Sequence, residues 1–233
     1  CSSTMGIISA MRAAASALAA PPARRQMTGF TNGLSRHSAA AGPDAAQFSE
    51  VWRQKQIEYT WTLTLAGRYE EFWTLTQRAL DYCFERFPSV DRGLRDALLG
   101  AYLKLDAYPD ARTLLAALKA RGESTAILTN GSPAMVAAAV EAAGLQGLLD
   151  AVLSVDAVKM FKPRPETYAL VTKKFACRPA DVVFVSSNRW DAFGATAFGF
   201  RTFWINRAKA PDEYPGFAPA ATATSLSGVL SVR

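Results

Sequence analysis

At 233 residues, half of them hydrophobic, the chain can bury a sizeable core as one large or two small domains. No apolar run approaches the roughly 18 residues of a membrane span. Of the 26 basic side chains, Arg12, Arg24, Arg25 and Arg36 fall in an acid-free stretch, residues 1–43, and the others nearly balance the 20 acidic ones; this argues against the broad basic surface of a nucleic-acid binder. Cys1, Cys83 and Cys177 are odd in number and lack metal-ligand spacing. Thiols in a reducing cytosol are the expectation, with no metal site and no other cofactor.

Residues 1–43 differ in texture from the rest of the chain. Gly6 to Ala20 is alanine-rich, Pro21-Pro22 breaks it, and Gly, Ser, Asn and Thr come next. Its Arg/Ser/Ala-rich, acid-free composition fits an organelle transit peptide better than a signal peptide, whose apolar centre Arg12 would interrupt. The expected location is cytoplasmic, with an N-terminal targeting segment as the alternative. From Ala45 the pattern becomes regular. Phe48, Trp52, Tyr59 and Leu63 recur near helical spacing. A second helix is expected from about Tyr69 to Phe87, and a third after Ser89 as N-cap, with Asp91 in its first turn. Asp110 to Arg121 makes a fourth, closed by Gly122. Trp52, Trp61 and Trp73 are read as the core of a helical bundle.

Beyond Gly122, strands and helices alternate. Thr125–Leu128, Ala151–Val155, Val182–Ser186 and Thr202–Asn206 read as strands. Helices follow Ser132-Pro133, an N-cap with proline at the first helical position, and span Glu166–Ala176 and Asp191–Phe200. This βαβ rhythm predicts an α/β fold with a doubly wound parallel, Rossmann-like sheet. Residues beyond Ala208 are Pro/Ala/Thr-rich and read as a C-terminal tail. The expected layout is an atypical segment over 1–43, helices over 44–107, an α/β core over 108–208 and the tail.

Open parallel sheets place ligand sites at the carboxyl ends of their strands. Three such ends carry reactive groups: Thr129-Asn130 ahead of a helix N-terminus suited to an anion, Lys162 between Phe161 and Pro163, and Ser186-Ser187-Asn188-Arg189-Trp190-Asp191. Singly, each has an ordinary reading as a helix cap or a solvated lysine. Their ordered set is specific.

That set resembles the haloacid dehalogenase superfamily, and within it the type II L-2-haloacid dehalogenases. Trp52-Arg53-Gln54-Lys55-Gln56-Ile57-Glu58-Tyr59-Thr60-Trp61 is similar to the signature of that group's cap helix. Ile127-Leu128-Thr129-Asn130-Gly131-Ser132-Pro133, Leu153-Ser154-Val155-Asp156, Phe161-Lys162-Pro163 with Tyr168, Phe184 to Asp191, and Trp204-Ile205-Asn206-Arg207 are similar to its core motifs. The resemblance covers about residues 45–207. It implies a helical-bundle cap domain on the α/β core, and hydrolysis of L-2-haloacids to 2-hydroxy acids. An aspartate carboxylate would attack C2 and displace halide, and water would then hydrolyse the resulting ester. Arg53 would stabilise halide, with Asn188 and Trp190 nearby. Thr129, where the group usually has serine, and Asn130 would hold the substrate carboxylate. Lys162 would neutralise the nucleophile, Ser186, Asn188 and Asp191 would orient it and the water, and Tyr168 would support Lys162. Phe72 would join Asn130, Tyr168 and Trp190 in lining the substrate. The implied partners are a small halogenated carboxylic acid and halide, with no nucleic acid, no membrane and a homodimer through cap and core helices. Metal-dependent phosphatases of the superfamily usually carry an acid early in the last motif, where this chain has Ser186 and Ser187, so the dehalogenase branch is favoured.

The first motif of that family is a buried strand ending in Phe-Asp-x-x-Gly-Thr-Leu. Nothing of that form precedes Arg53, where the only acids are Asp44 and Glu50. The expectation is therefore a missing nucleophile and an absent central first strand, in a chain impaired in this reaction or serving as a non-catalytic scaffold. Each buried backbone group stranded by such a gap would cost about 1–3 kcal/mol. Residues from about Arg36 onward read as dehalogenase sequence and those before it as foreign, as a frameshift or mis-set start would produce.

Overall fold

The computed structural model describes residues 42–104 and 107–230, and the backbone of residues 5–8 and 231. The elements are β1 (Met5–Ile8), α1 (Ala45–Leu65), α2 (Phe72–Arg86), α3 (Arg95–Leu103), α4 (Pro109–Ala120), β2 (Thr125–Thr129), α5 (Pro133–Ala142), β3 (Ala151–Ser154), α6 (Pro165–Phe175), β4 (Val182–Ser186), α7 (Arg189–Phe198), β5 (Arg201–Ile205) and β6 (Ala221–Ala223), with short 3-10 turns between several of them. They divide into two compact units. One holds the described residues of 1–12, 109–133 and 145–231; the other holds those of 13–108 and 134–144.

The first unit is a six-stranded parallel sheet in the order β3-β2-β1-β4-β5-β6. The order reverses about β1, as in a doubly wound fold. β2 is buried at every position and β4 at four of five, which is what an apolar run covered on both faces gives. Successive side chains of β4 point to opposite faces. Val182 and Phe184 pack with Ala126, Leu128, Tyr168, Val171 and Ala195 beneath α6 and α7. Val183 and Val185 pack on the other face with Leu114 and Leu118 of α4, and with Leu226 and Val229. Gly199, in the left-handed region at φ 102°, ends α7 and turns the chain into β5.

The expected gap at the centre of the sheet is corrected here. β1 fills it, with Gly6 opposite Thr125 and Val183, and Ile8 opposite Ile127 and Val185. The reason is that a mid-sheet slot asks first for backbone hydrogen bonds, which any extended run without proline can supply. Met-Gly-Ile-Ile is such a run, hidden in the sequence by the alanine-rich stretch that it opens. Residues 9–41, where the expected loss of the nucleophile falls, lie outside the described residues.

The Pro/Ala/Thr-rich end of the chain carries more order than its composition suggests. β6 extends the sheet beside β5. Asp110, in the first turn of α4, accepts from Arg207 Nη2 at 2.9 Å and from the Leu226 backbone N–H at 2.8 Å.

The second unit is helical. α1 and α2 pack through Phe48, Trp52, Leu75, Ala79, Leu80, Cys83 and Phe84, all buried. Trp52 Nε1 donates to the Thr76 carbonyl at 2.9 Å. Of the three tryptophans assigned to this core, Trp52 is buried, Trp73 is half-buried, and Trp61 is 37% exposed and lies at the surface. The buried stripe of α1 runs Phe48, Trp52, Gln56, Thr60. Apolar spacing pointed instead to Tyr59 and Leu63, because the last two turns of the stripe are polar. Thr60 satisfies its hydroxyl on the Ile57 carbonyl, and Gln56 Oε1 accepts from Tyr102. The cap expected at Ser89 is made by Asp91, which accepts from the Gly93 N–H at 2.8 Å and starts the 3-10 turn before α3.

Candidate active site

The carboxyl ends of β2 and β4 flank that of β1, and the loop after β3 reaches the same edge. Lys162 is at the centre of what gathers there. It is 2% exposed, and its backbone N–H donates to Asn130 Oδ1 at 3.1 Å. Its ammonium donates to the Leu128 carbonyl at 2.9 Å and to Asp191 Oδ2 at 3.2 Å, and it lies 5.1 Å from the centre of the Phe184 ring. A charge so deeply buried persists only when it is paired and hydrogen-bonded.

Asp191, 1% exposed in the first turn of α7, draws three elements together. Besides Lys162, it accepts from Ser186 Oγ at 3.0 Å and from the Tyr168 hydroxyl at 2.9 Å. Ser186 Oγ in turn accepts from the Asn188 backbone N–H at 3.1 Å, which fixes the turn from β4 into α7. Thr129 Oγ1 accepts from the Gly131 N–H at 3.0 Å and shapes the turn after β2. Burial pulls the Lys162 pKa below its ordinary value, with the Asp191 charge and hydrogen bond opposing the shift. Burial pushes the Tyr168 hydroxyl well above its ordinary value, and the adjacent Asp191 carboxylate adds to this.

Of the residues singled out in the sequence, Thr129, Asn130, Lys162, Tyr168, Ser186, Asn188, Trp190 and Asp191 all belong to the sheet unit. Lys162, Tyr168, Ser186 and Asp191 form one connected cluster, to which Asn130 and Asn188 are joined through the backbone N–H bonds of Lys162 and Asn188. Arg53 and Phe72 belong to the helical unit. There Phe72 is buried at the start of α2. Arg53 is half-buried on α1; burial lowers its pKa, while Tyr102 and Glu50 pull the other way.

Three features of the cluster lie outside the candidate site residues read from the sequence, although Ser154 falls in one of the family-like motifs. The Leu128 carbonyl is backbone, and so invisible to a reading of side chains. Ser154 Oγ donates to the Gly131 carbonyl at 2.7 Å and bridges the ends of β3 and β2. Gly194, inside α7, lies against Pro163 and Tyr168.

With this geometry in place, comparison with known proteins gives the class. The profile of the haloacid dehalogenase-like hydrolases matches residues 3–199. The chain is 49% identical over 185 residues to (S)-2-haloacid dehalogenase 1 of Pseudomonas sp. (strain CBS-3), covering 79% of this chain and 81% of that one. It is 45% identical over 185 residues to (S)-2-haloacid dehalogenase 4A of Burkholderia cepacia, covering 79% and 80%. A solved L-2-haloacid dehalogenase of Xanthobacter autotrophicus, with chloropropionic acid covalently bound, superposes with a TM-score of 0.78 at 32% identity, covering 97% of this chain and 96% of that one. The chain therefore belongs to the haloacid dehalogenase-like hydrolases, on the branch of the L-2-haloacid, or (S)-2-haloacid, dehalogenases.

Proposed function

We propose that this protein acts on L-2-haloacids, the reaction of its branch being hydrolysis to a 2-hydroxy acid and halide. The observation that carries the reading is the buried Lys162–Asp191 pair with Ser186 and Tyr168 around it. A shielded ammonium at the end of the central strands suits a carboxylate whose charge must be controlled during displacement at carbon. In this reading Lys162 neutralises that carboxylate. Ser186, Asn188 and Asp191 hold the geometry, and Tyr168 holds Asp191. Thr129 and Asn130 take the substrate carboxylate beside Trp190. Arg53 is assigned to halide by the signature of α1, and Phe72 to the substrate by the resemblance to the family, both in the helical unit, the cap of this reading. The protein works as a homodimer in the cytoplasm.

A second reading rests on the acid-free composition of residues 1–43. A chain without a nucleophilic carboxylate in that stretch binds the haloacid and does not turn it over. Incubating the purified protein with L-2-chloropropionate and following both binding and chloride release separates the two. The first reading expects chloride release faster than in buffer; the second expects saturable binding with release no faster than in buffer, and release restored when the residues ahead of Arg36 are replaced by the family's first-motif segment. Chloride release by the unaltered chain would show that another carboxylate attacks C2. Failure to bind would remove the haloacid reading itself.

The lysine gives this reading a pH dependence. Its cationic form binds anions, and its pKa is lowered from 10.5 by burial and held up by Asp191. Haloacid binding should therefore fall off on the alkaline side below the ordinary lysine range. Asp191→Asn removes the supporting charge and should move that limb to lower pH. Folding responds in the opposite sense. Between the folded and unfolded pKa values the unfolded chain holds more protons, so Lys162 adds stability as pH rises through that window. Affinity titrated against pH for both forms checks this; a limb unmoved in Asp191→Asn would contradict it.

A further inference from the structure

Arg189 is out of keeping with its surroundings. It is 4% exposed and stands in the first turn of α7, between Asn188 and Trp190. A cation at a helix N-terminus opposes the helix dipole, and burying its guanidinium adds a desolvation cost. A segment of later sequence compensates it. Arg189 Nε and Nη2 donate to the two oxygens of Asp212 at 2.6 and 3.2 Å. Nη2 also donates to the carbonyls of Tyr214 and Phe217 at 3.2 and 2.9 Å. The guanidinium carbon lies 5.2 Å from the Tyr214 ring centre and 5.7 Å from that of Trp204, whose Nε1 donates to the Ser187 carbonyl at 3.4 Å. Phe193, one turn along α7, stacks on Tyr214 at 4.7 Å and meets Phe217 edge-on at 4.9 Å.

The segment is itself ordered by local bonds. Asn206 Nδ2 donates to the Ala210 carbonyl and Asn206 Oδ1 accepts from the Ala210 N–H, at 2.8 and 2.9 Å, and Asp212 Oδ1 accepts from the Tyr214 N–H at 3.1 Å. Residues 206–217 thus form a strap that meets α7 at two side chains, the Phe193 ring and the Arg189 guanidinium, which makes its polar bonds to the first turn. Opposite faces of the same turn are gripped by separate devices, Asp191 by Lys162 and Tyr168, and Arg189 by the strap.

We propose that Arg189 is a positioning residue for the haloacid site. By fastening the strap to the first turn of α7 it fixes the placement of Asn188 and Trp190, the residues on either side of it. The inference rests on the haloacid reading for its ligand, but not for its mechanics. A turn held at both faces presents its side chains in one orientation, and small losses of orientation cost affinity steeply.

The test uses the full chain as wild type, Arg189→Met, Arg189→Lys and Asp212→Asn. L-2-chloropropionate affinity and amide hydrogen exchange over residues 188–192 and 206–217 are measured in each. Arg189→Met is expected to weaken binding at least tenfold and to speed exchange in both stretches, while the amides of β2 and α1 keep their wild-type rates. Arg189→Lys should recover part of the affinity, since it keeps the charge without the fork. Asp212→Asn, which alters only a half-exposed carboxylate, should give the same pattern at smaller amplitude, and it decides the matter should Arg189→Met fail to fold. Unchanged exchange over 188–192 in these variants, or faster exchange with wild-type affinity, would overturn the proposal. A wild-type chain that binds no chloropropionate removes the haloacid reading alone, and the exchange data still decide whether the strap holds the turn.

Discussion

Asp191→Ala should be the most destabilising single change in the Lys162 cluster, at about 3–5 kcal/mol, the usual cost of deleting one partner of a buried ion pair. The wild-type carboxylate takes three donors at once: the Lys162 ammonium, the Ser186 hydroxyl and the Tyr168 hydroxyl. Alanine takes one of two named acceptors from the ammonium, already 2% exposed, and keeps the other, the Leu128 carbonyl. It also removes the carboxylate to which two buried hydroxyls donate. Against a typical domain stability of about 5–15 kcal/mol, that loss takes much of the margin. Asp191→Asn keeps the shape and one acceptor oxygen and should cost clearly less. Urea unfolding of the three proteins at neutral pH provides the comparison. An alanine variant within about 1 kcal/mol of wild type, the ordinary range for a point mutant, would mean that the pair is not held as described.

Gly194→Ala comes next, and its sign is informative. Glycine inside a helix is normally worse than alanine by roughly 0.5–1 kcal/mol, so helix propensity alone predicts a gain. Packing predicts the reverse. A Cβ at position 194 would come within 2.5 Å of Pro163 Cβ, 2.5 Å of the Tyr168 hydroxyl oxygen and 3.1 Å of Tyr168 Cε2. Pro163 is next to Lys162, and Tyr168 donates to Asp191, so relief of the clash must move one side of the cluster or the other. Overpacking of this kind costs about 1–3 kcal/mol, which outweighs the propensity gain. The expected result is a lower urea midpoint together with weaker anion binding at the cluster. A midpoint equal to or above wild type would show that helix α7 can shift without cost.

Both predictions concern the part of the molecule that was most legible in advance. The alternation of strands and helices after Gly122 follows from local signals. Apolar runs of four or five residues, a proline at the start of α5 and glycine at the end of α7 act within a turn of the residues they affect. The same signals put Thr129 and Asn130 at the end of β2 and Asp191 just after β4, whereas Lys162, read as standing at a strand end, lies in the loop well past β3, which ends at Ser154. The sequence could not show which of these groups bond to one another. The spacing from Lys162 to Asp191 carries no distance; the fold supplies it by bringing the loop after β3 back to Leu128 on β2, two places from β4.

In three places where local reading and structure part, the cause is a partner far along the chain. The buried stripe of α1 continues through Gln56 and Thr60 because Tyr102, 46 residues on, donates to the glutamine. β1 escaped notice because four residues in an alanine-rich stretch give no strand pattern, and their pairing is decided by the open edges of β2 and β4. Residues beyond Ala208 lack periodicity, yet their fixed points are Asp110, Arg189 and β5, all outside the segment.

Short-range periodicity and motif order carry the class of fold, the family and the identity of the polar residues of the cluster, all of which can be read along the chain. The tertiary structure alone decided that Lys162, Asp191, Ser186 and Tyr168 share one buried network, that Met5–Ile8 occupies the centre of the sheet, and that the last segment straps onto α7. Each of those is a contact between distant residues, and only the assembled sheet brings their energies into play.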